Sequence, residues 1–241
     1  MRLNRPVPRS ALAIVAHPDD AEFQCGATLA KWAAAGAVVH HLVCTDGSKG
    51  SWEPSEDTAA LVALRRDEQR SAARALGATG RQVFLDAVDG ELDTSLARRA
   101  EVCRWIRTLQ PEVVLGHDPW RRWRLHPDHR SAGFLCTDGV VAARDPHFHP
   151  ELGLPHHRPS AILLFESEEP DHAEDVTGFL DAKVAALLEH RSQFVTTHGI
   201  TDAGDGGQVE RFRRHVEERL ATVGARVGVR HAEAFRLIDR V

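Results

Sequence analysis

Residues 11–26 read ALAIVAHPDDAEFQCG, and the change of character at residue 17 decides how the chain is read. ALAIVA is an apolar run of strand length. It stops at His17, and Asp19, Asp20 and Glu22 follow within five positions. The Ala-rich stretch 27–36 then reads as a helix ended by Gly36. A buried strand that places a histidine and three acids at its tip, just before a helix, is positioning polar groups at a sheet edge rather than in a core.

The same alternation runs along the chain. Apolar runs predict further strands at 37–44, 81–85, 112–116 and 160–166, and amphipathic stretches predict helices at 58–77, 94–110, 126–144, 175–194 and 208–222. Residues 45–57 and 201–207 read as exposed loops, and 145–159 as a Pro- and His-rich connector. Alternating strands and helices imply an α/β fold with a mostly parallel, doubly wound sheet and helices on both faces. The length of 241 residues fits one large α/β domain over 1–241, or one domain with a modest appendage.

Composition excludes several classes. Apolar residues make up 42% of the chain, enough for a core, so disorder is excluded. A net charge of −5 argues against a nucleic-acid binder held by bulk charge. No stretch is apolar and long enough to span a bilayer, and the N-terminal residues show no export cleavage pattern, so a cytoplasmic protein is expected. Cys25, Cys44, Cys103 and Cys136 are not at C-x-x-C spacing; they read as small buried residues rather than a zinc ribbon or redox dithiol. Fifteen histidines accompany no tyrosine, and most of them, including His40, His41, His147, His149, His156 and His157, lie in no spacing that defines a site.

In a doubly wound sheet, ligands bind beyond the carboxyl ends of the strands. The HPDD tip, the TDG after the second strand and the HDPW…HPDH segment after the fourth therefore meet on one rim. His17 and Asp20, three residues apart on a turn into a helix, can face one side. Imidazole plus carboxylate suits Zn²⁺, and a third ligand must come from elsewhere. HPDHR at 126–130 supplies it, through His126 or His129, giving a two-His, one-carboxylate site with an open position.

AHPDDAE and HPDHR, with the order of elements between them, resemble the PIG-L/LmbE family of zinc-dependent N-acetylglucosaminyl deacetylases. TDGSKG, LRRDEQRSAARALG, DG at 89–90, PEVVLGHDP, KVAALLEHRSQ and the C-terminal HAEAF add support. The resemblance covers most of the chain and implies a Rossmann-like fold and one zinc ion per chain, other divalent ions being admitted by the same ligand types. It makes His17, Asp20 and His129 the metal ligands and Asp19 the general base. His126 becomes the oxyanion-stabilising residue, and Asp128 the acid that orients it and keeps it cationic. Arg65 or Arg66, and Asp89, match positions that contact the sugar. The implied reaction is removal of an N-acetyl group from a small-molecule glucosamine-type conjugate, with no nucleic acid or membrane span involved, and family members commonly form homo-oligomers.

Ala21 between the Asp pair and Glu22, and the bulky DPWRRWRL before the second motif, depart from the commoner family pattern. Arg121, Arg122 and Arg124, interleaved with Trp120 and Trp123, read as a phosphate-binding, ring-stacking or solvated basic loop. Ser48, Lys49 and Ser51 read as a flexible lip, and His190, Ser192 and Gln193 carry no role that spacing assigns. Rival readings are an amidase acting on a larger thiol-sugar conjugate, a non-catalytic Rossmann-like binding protein, and a metal phosphoesterase. The second expects the G-x-G-x-x-G that the first turn lacks, and the third usually needs a second metal.

Overall fold

The computed structural model describes residues 1–241. In chain order the elements are β1 (Arg2–Leu3), β2 (Ser10–Val15), α1 (Asp20–Ala34), β3 (Val38–Thr45), α2 (Thr58–Ala75), β4 (Gln82–Ala87) and α3 (Leu96–Leu109). They continue with β5 (Val113–His117), α4 (Pro127–Arg144), β6 (Ala161–Phe165), β7 (His172–Asp175), α5 (Leu180–Leu188), α6 (Gly206–Ala225) and β8 (Ala232–Ile238).

The strands form one sheet in the order β1-β7-β8-β6-β5-β2-β3-β4. All pairings are parallel except β6 with β8 and β7 with β8. The chain winds outward from β2 through β3 to β4, then returns to place β5 on the other flank of β2. This reversal makes the carboxyl ends of β2 and β5 the switch point where a crevice opens.

Alternation along β2 shows how both faces are covered. Ala11, Ala13 and Val15 join a core of 21 buried residues with α1, α2 and α5, while Leu12, Ile14 and Ala16 join a second core, also of 21, with α3 and α4. All four cysteines are buried and free within this packing. A third cluster, including Leu187, Phe212, Val216 and Leu220, seats α6 against α5. No helix is long and apolar enough to cross a membrane.

Several elements differ from the sequence expectation. The helix expected to begin at residue 27 begins at Asp20 and kinks at Cys25 (φ −141°). The Glu233 carboxylate accepts the N–H groups of Ala27 and Thr28 at 3.2 and 2.8 Å, restarting the helix beyond the kink. Lys183 neutralises Glu233 at 2.6 Å. The helix expected over 175–194 is only α5. Asp175 closes β7, Gly178 turns the chain at φ 93°, and after Leu188 the backbone passes into a 3-10 turn (Arg191–Gln193) and a single π turn (Phe194–His198). Strands β7 and β8, where no strand was expected, carry buried charges: Glu174 is paired with Lys31 at 2.8 Å and with His172 at 2.7 Å.

Two glycines bring α4 onto β5. A Cβ at Gly116 would meet Cys136 Sγ at 2.6 Å, and one at Gly133 would meet the His117 carbonyl oxygen at 2.7 Å. Only glycine permits that approach, which sets the first turn of α4 against the tip of β5.

Candidate metal centre

The tip of β2 turns into α1 through Asp19, a non-glycine residue at φ 96°, ψ −25°. Such a conformation is sterically costly and persists only when its surroundings hold it. Helix α2 does so. The Asp19 N–H donates to Gln69 Oε1 at 3.0 Å, and Arg65 Nη2 donates to the Pro18 carbonyl at 2.8 Å and lies 3.5 Å from the Asp19 carboxylate. Arg65 Nη1 also donates to the Gly47 carbonyl at 2.8 Å, tying in the loop after β3. One residue on, Asp20 Oδ2 accepts the backbone N–H of His17 at 2.8 Å.

This turn brings ligand-type atoms of three residues together at the first turn of α4. His17 Nδ1 lies 3.1 Å from His129 Nε2 and 3.4 Å from Asp20 Oδ2, and His129 Nε2 lies 3.2 Å from Asp20 Oδ1. Tetrahedral zinc bonds of about 2.0–2.2 Å place neighbouring ligand atoms about 3.3–3.6 Å apart, so the three residues fit one divalent ion in donor type and come near its spacing, with Asp20 turning a different oxygen to each imidazole. The opposite face of the His17 ring supports that fit: Nε2 faces Asp128 Oδ2 at 3.1 Å and Asp89 Oδ1 at 3.2 Å. Carboxylates there hold a ring proton on Nε2 and aim Nδ1 at the cluster, where an ion would bind by displacing the other ring proton.

His117, at the tip of β5, enters the same cluster. Its Nε2 is 3.3 Å from Asp20 Oδ2, its Nδ1 is 3.2 Å from Glu166, and its ring stacks on His129 at 4.4 Å between centroids. Metal-competent sets therefore overlap: Asp20–His117–His129, His17–His126–His129, and His17–Asp89–His126–Asp128. His117 carried no assigned role in the sequence; its place inside the HDP string at a strand end was the available signal. Arg124 reaches both Glu166, at 2.5 Å, and His129 Nδ1. With Arg121 also on Glu166 at 3.2 Å and Arg122 on Glu168 at 3.1 Å, the loop read as phosphate-binding, stacking or solvated has all three guanidinium groups paired.

Electrostatics follow from burial and these contacts. Burial opposes the charge on His17, but Asp128, Asp20 and Asp89 outweigh it and hold the imidazole well above its ordinary pKa. Burial likewise opposes ionisation of Asp20, yet His117 and His17 hold it well below the usual carboxylate range. Asp19 behaves differently: burial pushes it up to about 6 against the pull of Arg65 and His190.

Three expectations are revised. Asp128 does not orient His126: its carboxylate takes His17 Nε2 and the N–H groups of Gly90 and Leu92 at 2.6 and 3.2 Å. His126 is not held cationic, since burial and the neighbouring His17 lower its pKa; its ring packs 4.6 Å from that of His17 and 4.8 Å from that of His129. Arg66 is outside the site, paired with Asp86 and lying over the Phe84 ring at 5.6 Å, whereas Arg65 and Asp89 do line it.

Behind Asp19 lies a buried network that spacing could not reveal. Gln69 Nε2 donates to Glu22 Oε1 at 2.8 Å. Glu22, His41 and His190 are fully buried, with the two imidazoles 3.7 and 3.5 Å from the carboxylate. Ser192 anchors the turn after α5 by donating to Glu68 through its hydroxyl at 2.6 Å. The cluster opens into a cleft of about 790 Å3, whose walls include Lys49 and Trp52 from the loop after β3 and several residues of α6.

The family model described as PIG-L, GlcNAc-PI de-N-acetylase, matches residues 12–140, which contain both histidine motifs. The chain belongs to the PIG-L family. Its similarity to individual PIG-L relatives extends further. The diacetylchitobiose deacetylase of Thermococcus kodakarensis is 33% identical over 80% of this chain and 74% of its own length. The 1D-myo-inositol 2-acetamido-2-deoxy-alpha-D-glucopyranoside deacetylase of Streptomyces scabiei is 29% identical over 76% and 75%. The solved N,N'-diacetylchitobiose deacetylase of Pyrococcus horikoshii, complexed with its inhibitor MPG, superposes with a TM-score of 0.85 at 31% identity, covering 96% of this chain and 84% of that one. These relatives are amide hydrolases of N-acetylated sugars, so the family and enzyme class expected from the two histidine motifs are the ones found.

Proposed function

We propose that this protein, as one catalytic domain over 1–241, is a zinc-dependent hydrolase that removes the acetyl group from the 2-amino nitrogen of a glucosamine-type sugar conjugate. The observation that carries the reading is the convergence of His17 Nδ1, the Asp20 carboxylate and His129 Nε2 within 3.1–3.4 Å, one residue from a buried Asp19. Deacetylation is the activity named for the relatives in this family.

His17, Asp20 and His129 would hold the ion. A divalent ion there supplies a Lewis acid for the amide carbonyl and acidifies water, taking its pKa from about 15.7 toward about 7. Asp19, with a pKa near 6, is ionised at neutral pH yet basic enough to accept a proton from the attacking water. It then returns that proton to the sugar nitrogen as the carbon–nitrogen bond breaks, releasing acetate and a free amine. A ring N–H of His126, neutral or charged, donates to the oxyanion, a contribution typically worth about 3 kcal/mol. Asp128 keeps the His17 ring aimed. Asp89 retains lone pairs for a sugar hydroxyl beyond those used by His17 and by the Lys49 N–H at 3.1 Å. Arg65, whose amino groups are taken by backbone carbonyls, serves the Asp19 turn first.

The test is acetate release from a panel of N-acetylglucosaminides, with and without chelator, alongside the Asp19→Asn variant. Chelation is expected to abolish release and zinc to restore it. Asp19→Asn is expected to lower kcat by about 10²–10⁴-fold with zinc content unchanged. Acetate release that survives both metal stripping and Asp19→Asn overturns the reading.

A further inference from the structure

His117 and Glu166 are ionisable groups that the proposed reaction leaves unused, and neither lines the cleft. Strand pairing puts them side by side. His117, the last residue of β5, is in register with Phe165, the last residue of β6, and Glu166 follows. The His117 ring packs edge-on against Phe165 at 4.7 Å between centroids. Side chains alternate across a strand, so extended backbone would send Glu166 to the face opposite Phe165. Glu166 instead adopts φ 60°, a left-handed conformation that a non-glycine residue holds only where its surroundings fix it. With that turn, its Oε2 meets His117 Nδ1 at 3.2 Å.

The Glu166 carboxylate is anchored from its other side as well. Its Oε1 accepts from Arg121 Nη1 at 3.2 Å and from Arg124 Nη1 at 2.5 Å, so two arginines of the WRRWRL loop converge on one acid. At the inner end of the ring, His117 Nε2 lies 3.3 Å from Asp20 Oδ2. The same oxygen accepts the backbone N–H of His17 at 2.8 Å, while Asp20 Oδ1 faces His129 Nε2 at 3.2 Å. One oxygen of Asp20 is thus gripped from two directions, which sets the plane of the carboxylate and points the other oxygen at His129. His117 is buried, and a ring between two carboxylates can donate a proton from each nitrogen. A ligating carboxylate held by such an outer partner binds its ion more tightly, because its orientation is settled before the ion arrives.

We infer that Glu166, acting through His117, is a positioning residue that fixes the Asp20 carboxylate for the ion, with Arg121 and Arg124 holding Glu166 in place. His117 serves Asp20 from behind and is not itself an ion ligand. This rests on the metal reading of His17, Asp20 and His129.

Zinc affinity, read on the full-length chain by competition with a chromogenic chelator, tests it independently of turnover. Glu166→Leu and His117→Phe are each expected to weaken zinc binding by about 10–100-fold. Glu166→Gln keeps the shape of the side chain and an oxygen for His117 Nδ1, and should lose about tenfold, the low end of that range. Because Glu166 acts through His117, Glu166→Leu in the His117→Phe chain should add less than about twofold. Circular dichroism melts check that each variant is folded. If either apolar variant does not fold, Glu166→Gln and X-ray absorption at the zinc edge of the wild-type chain decide. That spectrum is expected to show two imidazoles on zinc, those of His17 and His129. A third imidazole makes His117 a ligand and overturns the inference. Affinities within about threefold of wild type, or losses that add fully in the double variant, overturn it too. A wild-type chain that binds no zinc fails the metal reading itself, and this inference with it. Zinc bound as described, without acetate release from any N-acetylglucosaminide, fails the deacetylase reading alone.

Discussion

Gln69→Leu is the most informative single change, because Gln69 links the strained turn to the buried network. The side chain is fully buried, and leucine preserves its bulk while removing both polar contacts. The Asp19 N–H loses its acceptor at 3.0 Å, and Glu22 loses a donor at 2.8 Å. An orphaned buried N–H costs about 1–3 kcal/mol, and a lost hydrogen bond to a carboxylate about 1.5–3 kcal/mol. His190 still pairs with Glu22 at 3.5 Å, so the lower part of the combined range applies, about 3 kcal/mol. For a chain of this size that is a fall in Tm of about 6–12 °C. The effect on rate is separate. Asp19 at φ 96° carries strain of about 1–3 kcal/mol that Gln69 and Arg65 restrain. Relaxation displaces the carboxylate, and a shift of about 1 Å can cost about 10²-fold in kcat. Urea unfolding and acetate release, read on the same preparation, check both. Gln69→Glu restores both contacts only when one proton is shared between the introduced carboxyl and Glu22, so it should fall between wild type and Gln69→Leu. Stability within about 0.5 kcal/mol of wild type, together with kcat within about twofold, would refute the claim that α2 holds the turn.

Two other perturbations probe regions away from that turn. His198 packs among Phe23, Phe194 and Phe212 at 5.4, 5.4 and 4.5 Å, with neither ring nitrogen hydrogen-bonded, and its pKa is lowered to about 3 by burial and by His190. Its folded pKa lies below the unfolded value of about 6.5, so the unfolded chain binds the proton first as the pH falls. The stability linked to the neutral ring is therefore fully present above about 6.5 and lost progressively toward pH 3, and His198→Phe should flatten the decline of unfolding free energy between about pH 6.5 and 4. An identical slope in both proteins would contradict this. Arg66→Ala removes a partly exposed pair with Asp86 and should change stability by less than about 1 kcal/mol. KM for an N-acetylglucosaminide should stay unchanged; a several-fold rise would return Arg66 to the substrate site.

The chemistry of the strand tips was legible because both histidine motifs are contiguous and follow apolar runs, so local pattern and the strand-end rule point to one rim. The rest was hidden for physical reasons. Glu22, His41, Gln69 and His190 meet only after α1, β3, α2 and the turn following α5 pack together, and no spacing in the sequence encodes that meeting. Arg65 and Arg66 are neighbours, yet about 100° of helical rotation sends one into the site and the other over Phe84. The family resemblance paired Asp128 with His126, but the start of α4 turns the carboxylate toward His17 instead. Strands β7 and β8 escaped hydropathy because Glu174 and Glu233 are buried with cationic partners, so polarity in the sequence does not mean exposure in the fold.

The central claim is most directly tested by anomalous X-ray scattering at the zinc edge from crystals of the zinc-loaded protein. The account predicts one strong peak per chain, about 2.0–2.2 Å from His17 Nδ1, an Asp20 carboxylate oxygen and His129 Nε2. A peak bound by other residues, or no peak with those three side chains turned apart, would contradict it.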